Sequence, residues 1–444
     1  MTDRRLDVHM DGVKIGNLHM SGAGNLTFEY DAEYTQRENA TPLSLSMPVS
    51  KTRHKNKVVR SFLQGLLPDN AQALSAMATR YRVSANSPFA LLEHVGHDVA
   101  GALQIVQPGE TVEDSLSTST PPSPISDSEL AQALHEVIDT YRSGTPAPET
   151  QRMSIAGAQP KLALVKTESS DWAVPDRTQP TTYILKPLPR DGAAFPKSDL
   201  VELLCLRALA RAGIPAADTD IWEAPDQSVR AIVSRRYDRY QGSDGTVHRR
   251  HQEDLCQAIG IDPVHKYQSD GGPGLGDIAQ LFRAQLTADD SLQASRDFLR
   301  GVVANTFLFN TDAHAKNYSL MLDGDTVRLA PMYDVVSYAP YIHADDDRKI
   351  LSSLRLGGTY DLRQIFPEAL VEAGRTLGVP RDESERIVED TVTNLAAALE
   401  TEVGELQTLD DTGILGRTVE AVQGNSPLYA SVRETFRLRP QARS

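Results

Sequence analysis

Cysteine is nearly missing from this chain. Cys205 and Cys256 are the only two in 444 residues, and both sit inside apolar or helical patterns. A disulfide framework is therefore not expected, and a reducing cytoplasm fits. No cluster of Cys and His has the spacing of a zinc site. No hydrophobic run approaches the length of a membrane span. The first residues, Met1 to Asp7, lack the apolar segment of a secretory signal, so the expectation is a cytoplasmic protein with no membrane partner. An excess of positive charge is missing as well: the formal net charge is −15. Direct binding to nucleic acid through bulk electrostatics needs a basic surface and is not expected. A local basic run such as Lys51 to Lys57 reads as a solvated loop. There is no internal repeat.

What remains is an ordinary globular composition, 40% hydrophobic and 24% charged, long enough for two or three domains. Against that background one stretch stands out. Asn310-Thr311-Asp312-Ala313-His314-Ala315-Lys316-Asn317 places an Asp and an Asn five positions apart, and Met332-Tyr333-Asp334 follows a short loop later. This is the spacing of a protein-kinase catalytic loop and its metal-binding Asp. The first Asp accepts the proton of an attacking hydroxyl, while the Asn and the second Asp suit Mg²⁺ beside the phosphates of ATP. Asp and Asn also fill plain turns, so the neighbours matter. An apolar helical pattern covers Phe298 to Phe309 before the motif. After it, Tyr318 to Leu322 and Val327 to Leu329 flank Asp323-Gly324-Asp325 as a hairpin.

Upstream, strands are expected at Leu6 to Met10 and Val13 to Leu18 around an Asp11-Gly12 turn, and at Asn25 to Tyr30. Helices follow from near Val58, over Ala71 to Tyr81, and from Pro88. Gln107 to Pro124 reads as an exposed linker, and a capped helix runs from Ser128 to Tyr141. The next segment supplies a nucleotide side. Ser154-Ile155-Ala156-Gly157-Ala158-Gln159-Pro160-Lys161 is a small-residue turn entering a strand, suited to phosphate approach although it is neither G-x-G-x-x-G nor a Walker A loop. Lys186 lies at the end of the apolar strand Thr182 to Lys186. Glu202 lies on the next helix, Asp199 to Ala212, which stops at Gly213. Arg235 to Arg239, with Tyr237, falls where a hinge would join two lobes. Beyond about Glu253 the pattern is mostly helical.

The order of these features, together with Pro42 to Pro48, Gly65 to Asp69, Val95 to Ala102, Gln252 to Gln257 and Lys266 to Gly274, resembles the HipA family of bacterial serine/threonine kinases that act as toxins. The resemblance spans nearly the whole chain. It implies an α+β, two-lobed protein-kinase-like fold, with an N-terminal α/β subdomain (1–106), a Ser/Pro-rich linker and helix (107–150), a kinase N-lobe (151–240), a mostly α-helical C-lobe (241–430) and a tail (431–444). It implies ATP and Mg²⁺, with Asp312 catalytic alongside His314 and Lys316, and Asn317 and Asp334 as metal ligands. Nucleotide contacts would come from Ser154, Ala156, Gly157, Ala158, Gln159, Lys161, Lys186, Glu202, Arg235 and Tyr237. Arg235 departs from the acidic residue known at the hinge of a family member. The resemblance also implies self-inactivation by phosphorylation of Ser154, an aminoacyl-tRNA synthetase substrate (glutamyl-tRNA synthetase by analogy), and a HipB-like helix-turn-helix antitoxin, through which alone DNA would be reached. Two other readings stay open: a non-catalytic co-repressor scaffold, and a small-molecule or lipid kinase.

Overall fold

The structure is a computed structural model. It describes residues 3–438 except 111, 113–120, 146–155, 168, 170, 177–178, 190–194, 244 and 343–347. The chain forms two compact units: Met1–Ala193 with Asp220–Val264 and Leu320–Thr326, and Ala194–Thr219 with His265–Ser319 and Val327–Ser444.

The first unit begins with an antiparallel five-stranded sheet. Its order is Arg53–Lys55, Leu26–Tyr30, Val13–Met20, Arg4–Met10, Leu103–Val106. Asp11 and Gly12, with φ of 45° and 81°, make the tight turn that the Asp-Gly pair predicts. Alternation along the strands puts Leu6, Val8, Ile15, Leu18 and Phe28 into one core with Phe62, Phe89 and Leu92 from the helices Asn56–Gly65 and Pro88–Val95. Each such side chain contributes roughly 1.5–3 kcal/mol by leaving water. The basic run Lys51 to Lys57 is not the solvated loop expected of it. Arg53–Lys55 pairs with Thr27 to Glu29, and His54 is buried against the Tyr30 ring. Cross-strand hydrogen bonding there outweighs local polarity.

A second sheet of this unit runs Thr219–Glu223, Val229–Arg235, Tyr183–Pro189, Leu162–Lys166, Trp172–Val174, Ser123–Pro124. The last pair lies in the stretch expected to be linker, and adds an edge to Trp172–Val174. The helix Asp127–Ser143 starts on a capping box between Ser126 and Glu129 and stops at Gly144, φ 71°. Its Leu130, Leu134 and Val137 cover Leu162, Leu164, Leu185 and Val233 on one sheet face. Lys186 sits mid-strand, not at a strand end.

An ion network ties the Val95–Ala102 segment to the chain just beyond this sheet, at Arg236 and in the two-stranded ribbon Arg239–Gln241 with Val247–Arg249. Asp98 meets Arg239 at 2.6 Å, Arg236 at 3.3 Å and Arg249 at 3.4 Å, and accepts from the Thr181 amide and hydroxyl. Asp238 takes both Arg236 and the Gly101 amide. All five charged groups are buried. Burial alone would raise the Asp98 carboxyl, but Arg239, Arg236 and Arg249 hold it well below the usual carboxylate range.

Another buried carboxyl, Glu253, accepts the Leu45 amide at 2.8 Å and is pushed up to about 8 by burial. Between 4.5, its ordinary value, and about 8, only the folded chain keeps this proton, so stability falls as pH rises across that window. Glu253→Gln keeps the shape and is expected to raise the melting temperature at pH 8.5 while leaving it unchanged near pH 4, as calorimetry would read.

The second unit is helical, with Ser198–Arg211, Leu275–Gln285, Ala288–Phe307, Pro367–Leu377, Arg381–Leu406, Ile414–Asn425 and Pro427–Leu438. Arg211 anchors its helix to Glu402 at 2.5 Å and Glu405 at 2.7 Å. A hairpin not expected from the sequence, Leu351–Leu356 with Thr359–Asp361, packs beside the motif loop. No described helix is long and apolar enough to cross a membrane.

Candidate active site

The motif loop leaves the helix Ala288–Phe307 through Phe309, whose φ is 55°. From there a relay of amides shapes it. Asn305 donates to the Tyr318 hydroxyl at 2.7 Å, Asn310 donates to Asn305 at 2.9 Å, and the Asn310 carbonyl end accepts the Asp312 amide at 3.1 Å. Asn305, Asn310 and Tyr318 are buried, so these bonds satisfy groups that water cannot reach. Asn317 closes the loop, its side-chain amide donating to the Asp312 carbonyl at 2.7 Å. That bond leaves the Asn317 oxygen as its acceptor end.

Asp312 itself is open: its side chain is 61% exposed. The Tyr267 hydroxyl donates to its Oδ1, and His314 Nε2 stands 3.8 Å from the same oxygen. His314 is buried edge-on to the Tyr267 ring, with centroids 4.9 Å apart. Burial pushes its imidazole down to about 4 against the pull of Asp312, so the ring is neutral at pH 7. Lys316 is buried, and its carbonyl accepts the Tyr333 hydroxyl at 2.7 Å. Tyr333 also meets Ser319 at 2.6 Å, and Met332 exchanges backbone bonds with Pro215 and Ala217. These anchors hold the neighbouring Asp334 at φ 54°, a left-handed backbone that costs a non-glycine residue about 1–3 kcal/mol.

In the first unit, the Lys161 ammonium donates to the Ala156 carbonyl at 3.1 Å. Gly157 has φ 114°, and a Cβ there would overlap that ammonium. The Gly157 carbonyl accepts the Asp69 amide at 3.0 Å, which joins the Gly65 to Asp69 motif to this turn. Ala158 and Gln159 continue the turn and are exposed. Leu162 lies opposite Leu185, so Lys161 and Lys186 occupy the next opposed positions. Opposed residues share a sheet face, here the one away from the Asp127–Ser143 helix. Both lysines are buried. Ser154 lies outside the described residues.

Arg235 is exposed at its strand end, and Tyr237 donates to Gln252 at 2.5 Å. Between and beyond them, Arg236, Asp238 and Arg239 turn inward to the ion network, which the reading of this run as a hinge did not foresee. Glu202 is buried on the helix Ser198–Arg211 in the second unit, whereas Lys186 belongs to the first. The structure thus brings Asp312, His314 and Asn317 together, and Lys161 with Ala156 and Gly157. Sequence reasoning missed Tyr267, Asn305 and Asn310. The two Asn residues carried a signal, amides five apart at the end of an apolar helix; Tyr267 lies in the Lys266 to Gly274 segment, whose sequence alone suggests no role for it.

The expected metal ligands Asn317 and Asp334 offer oxygens, the ligand type a hard cation such as Mg²⁺ takes. Among the described residues no group of three or more His, Cys, Asp or Glu gathers to hold a metal ion.

The model of the HipA-like C-terminal domain matches residues 153–399, and that of the HipA N-terminal domain matches residues 6–106. The Sinorhizobium fredii protein Y4mE is 34% identical over 407 residues, covering 90% of this chain and 93% of its own. The serine/threonine-protein kinase toxin HipA of Shewanella oneidensis is 28% identical over 393 residues, 85% of this chain and 84% of that one. Among solved structures, a chain from the Shewanella oneidensis complex of HipA, HipB and operator DNA superposes with a TM-score of 0.76 at 23% identity, covering 98% of this chain and 100% of that chain. That likeness establishes the α+β, kinase-like fold.

Proposed function

Because the chain belongs to the HipA family of serine/threonine protein kinases, we propose that it transfers the terminal phosphoryl group of ATP to a serine or threonine of a cytoplasmic protein, and so acts as a growth-arresting toxin. The observation that carries this reading is the exposed Asp312 carboxylate on a loop closed by Asn317. An open carboxylate reaches an incoming hydroxyl; a structural turn Asp would spend both oxygens on its own backbone.

In the reaction, the acceptor oxygen bonds to phosphorus, the bond to ADP breaks, and Asp312 takes the hydroxyl proton. Lys161 and Lys186 bind phosphate oxygens, with Ala156, Gly157, Ala158 and Gln159 supplying backbone approach. The Arg235 to Tyr237 backbone meets the adenine. Asn317 and Asp334 would hold Mg²⁺, which neutralises charge on the phosphates. Neutral His314 packs beneath Asp312, and Lys316 holds Tyr333 through its carbonyl.

The acceptor is an aminoacyl-tRNA synthetase, glutamyl-tRNA synthetase by family analogy. The antitoxin is a HipB-like helix-turn-helix protein, in keeping with the HipB and operator DNA in the solved Shewanella complex. This chain, at −15, reaches DNA only through that partner. Labelled ATP and a panel of purified synthetases test the substrate class; label in none of them, with label in another protein, moves the assignment.

Phosphorylation of Ser154 is the proposed off-switch. It adds about −1.5 to −2 charge beside an anion-binding turn. Ser154→Ala is expected to keep its initial rate and lose the slow self-inactivation seen in a progress curve. A phosphate mapped elsewhere, with Ser154 bare, removes this switch.

A further inference from the structure

Tyr267 lies 45 residues before Asp312, outside the motif loop, yet its hydroxyl ends on the Asp312 carboxylate. The segment that carries it is pinned from three sides. The Lys266 carbonyl accepts the Ala315 amide at 3.1 Å, which fastens it to the motif loop. Gln268 accepts the Arg355 amide at 2.7 Å from the strand Leu351–Leu356. That strand in turn holds the motif loop, Ser353 donating to the Thr311 carbonyl at 3.0 Å. The segment also folds back on itself, the Tyr267 carbonyl accepting the Asp270 amide at 3.0 Å and the Gly272 amide at 2.9 Å. Only glycine fits at 272, because a Cβ would overlap the His265 and Tyr267 carbonyls. The Tyr267 ring is set by His314 on one side and the Lys266 ammonium 5.6 Å from its centroid.

An exposed carboxylate turns freely unless something holds it, and a misaligned base loses rate steeply. Tyr267 and His314 both address Oδ1. We propose that Tyr267 is a positioning residue for phosphoryl transfer: its hydroxyl fixes Oδ1 of Asp312, so that Oδ2 receives the proton of the acceptor serine or threonine. This rests on the reading of Asp312 as the base. A tyrosine in this place sets the angle at which the acceptor hydroxyl must approach, without touching ATP.

The test is self-phosphorylation in a single turnover, with rate followed against Mg-ATP concentration, for the parent, Tyr267→Phe and Asp312→Asn. Tyr267→Phe keeps the ring on His314 and removes only the hydroxyl. Its limiting rate is expected to fall about tenfold, the size of one hydrogen bond to a charged group, with the half-saturating ATP within about twofold of the parent. A limiting rate at or above the parent's overturns the proposal, since the hydroxyl would then be idle or a plug. So does a rise in half-saturating ATP that accounts for the whole loss, which a general loosening would give. Site-specific difluorotyrosine at 267 serves if Tyr267→Phe does not fold. Near pH 9 its phenol is ionised and cannot donate, whereas an ordinary tyrosine (about 10) still can. The fluorinated chain should then lose rate that the parent keeps, and equal rates at that pH overturn the proposal. Full activity in Asp312→Asn would sink the underlying reading, whatever Tyr267 does.

Discussion

Asp312→Asn is expected to cut the phosphoryl-transfer rate by at least about a hundredfold, the low end of what a positioned base contributes, while leaving ATP binding and the melting temperature near those of the parent. The side chain is mostly exposed, so little packing is lost. An amide can still accept the Tyr267 hydroxyl, so the loop keeps its shape. What it cannot do is take a proton. Isothermal calorimetry with Mg-ATP and thermal unfolding separate the cases. A rate loss with intact binding and stability supports the base assignment; a matching collapse of stability would make Asp312 structural. An unchanged rate would be fatal to it.

The largest effect on stability is expected at Asp98, far from the motif in sequence. Asp98→Ala leaves Arg236, Arg239 and Arg249 buried with Asp238 as the remaining acid of the network. Removing one partner of a buried ion pair costs about 3–5 kcal/mol, and two amide and hydroxyl donors from Thr181 lose their acceptor as well. Asp98→Asn keeps an acceptor for Thr181 and is expected to cost less. The pH dependence has a definite sign. A carboxyl held below its ordinary range contributes stability above that range and loses it only as pH falls through its lowered value. Urea unfolding of the variants at neutral pH reads the difference. A loss below about 1 kcal/mol for Asp98→Ala, the worth of a surface pair, would show that the network is solvated.

How much of this was readable beforehand depends on range along the chain. The Asp11-Gly12 turn and the Gly213 stop depend on neighbours a few residues away, and each appears where the sequence puts it. The Asp312 and Asn317 spacing was equally legible, because the bond between them closes within one loop. Tyr267 was not, since nothing local tells a tyrosine in a Gly-rich segment that an aspartate 45 residues on will receive its hydroxyl. The ion network escaped for the same reason: Asp98 and Arg236 are 138 residues apart, and Arg235 to Arg239 reads as a hinge. Lys51 to Lys57 was misjudged because a strand partner at Thr27 to Glu29 overrides polarity. Lys186 reads as the end of the apolar strand Thr182 to Lys186, yet the strand continues and Pro187 pairs opposite Ala231 within the sheet.

The most direct test of the central claim takes the purified chain, strips any phosphate with a phosphatase, and incubates it with Mg-ATP beside Asp312→Asn. Intact mass and peptide mapping then follow. The account predicts phosphate on a serine of the parent, at Ser154, and none on the variant. An unmodified parent with its ATP intact, or equal labelling of the two chains, would contradict it.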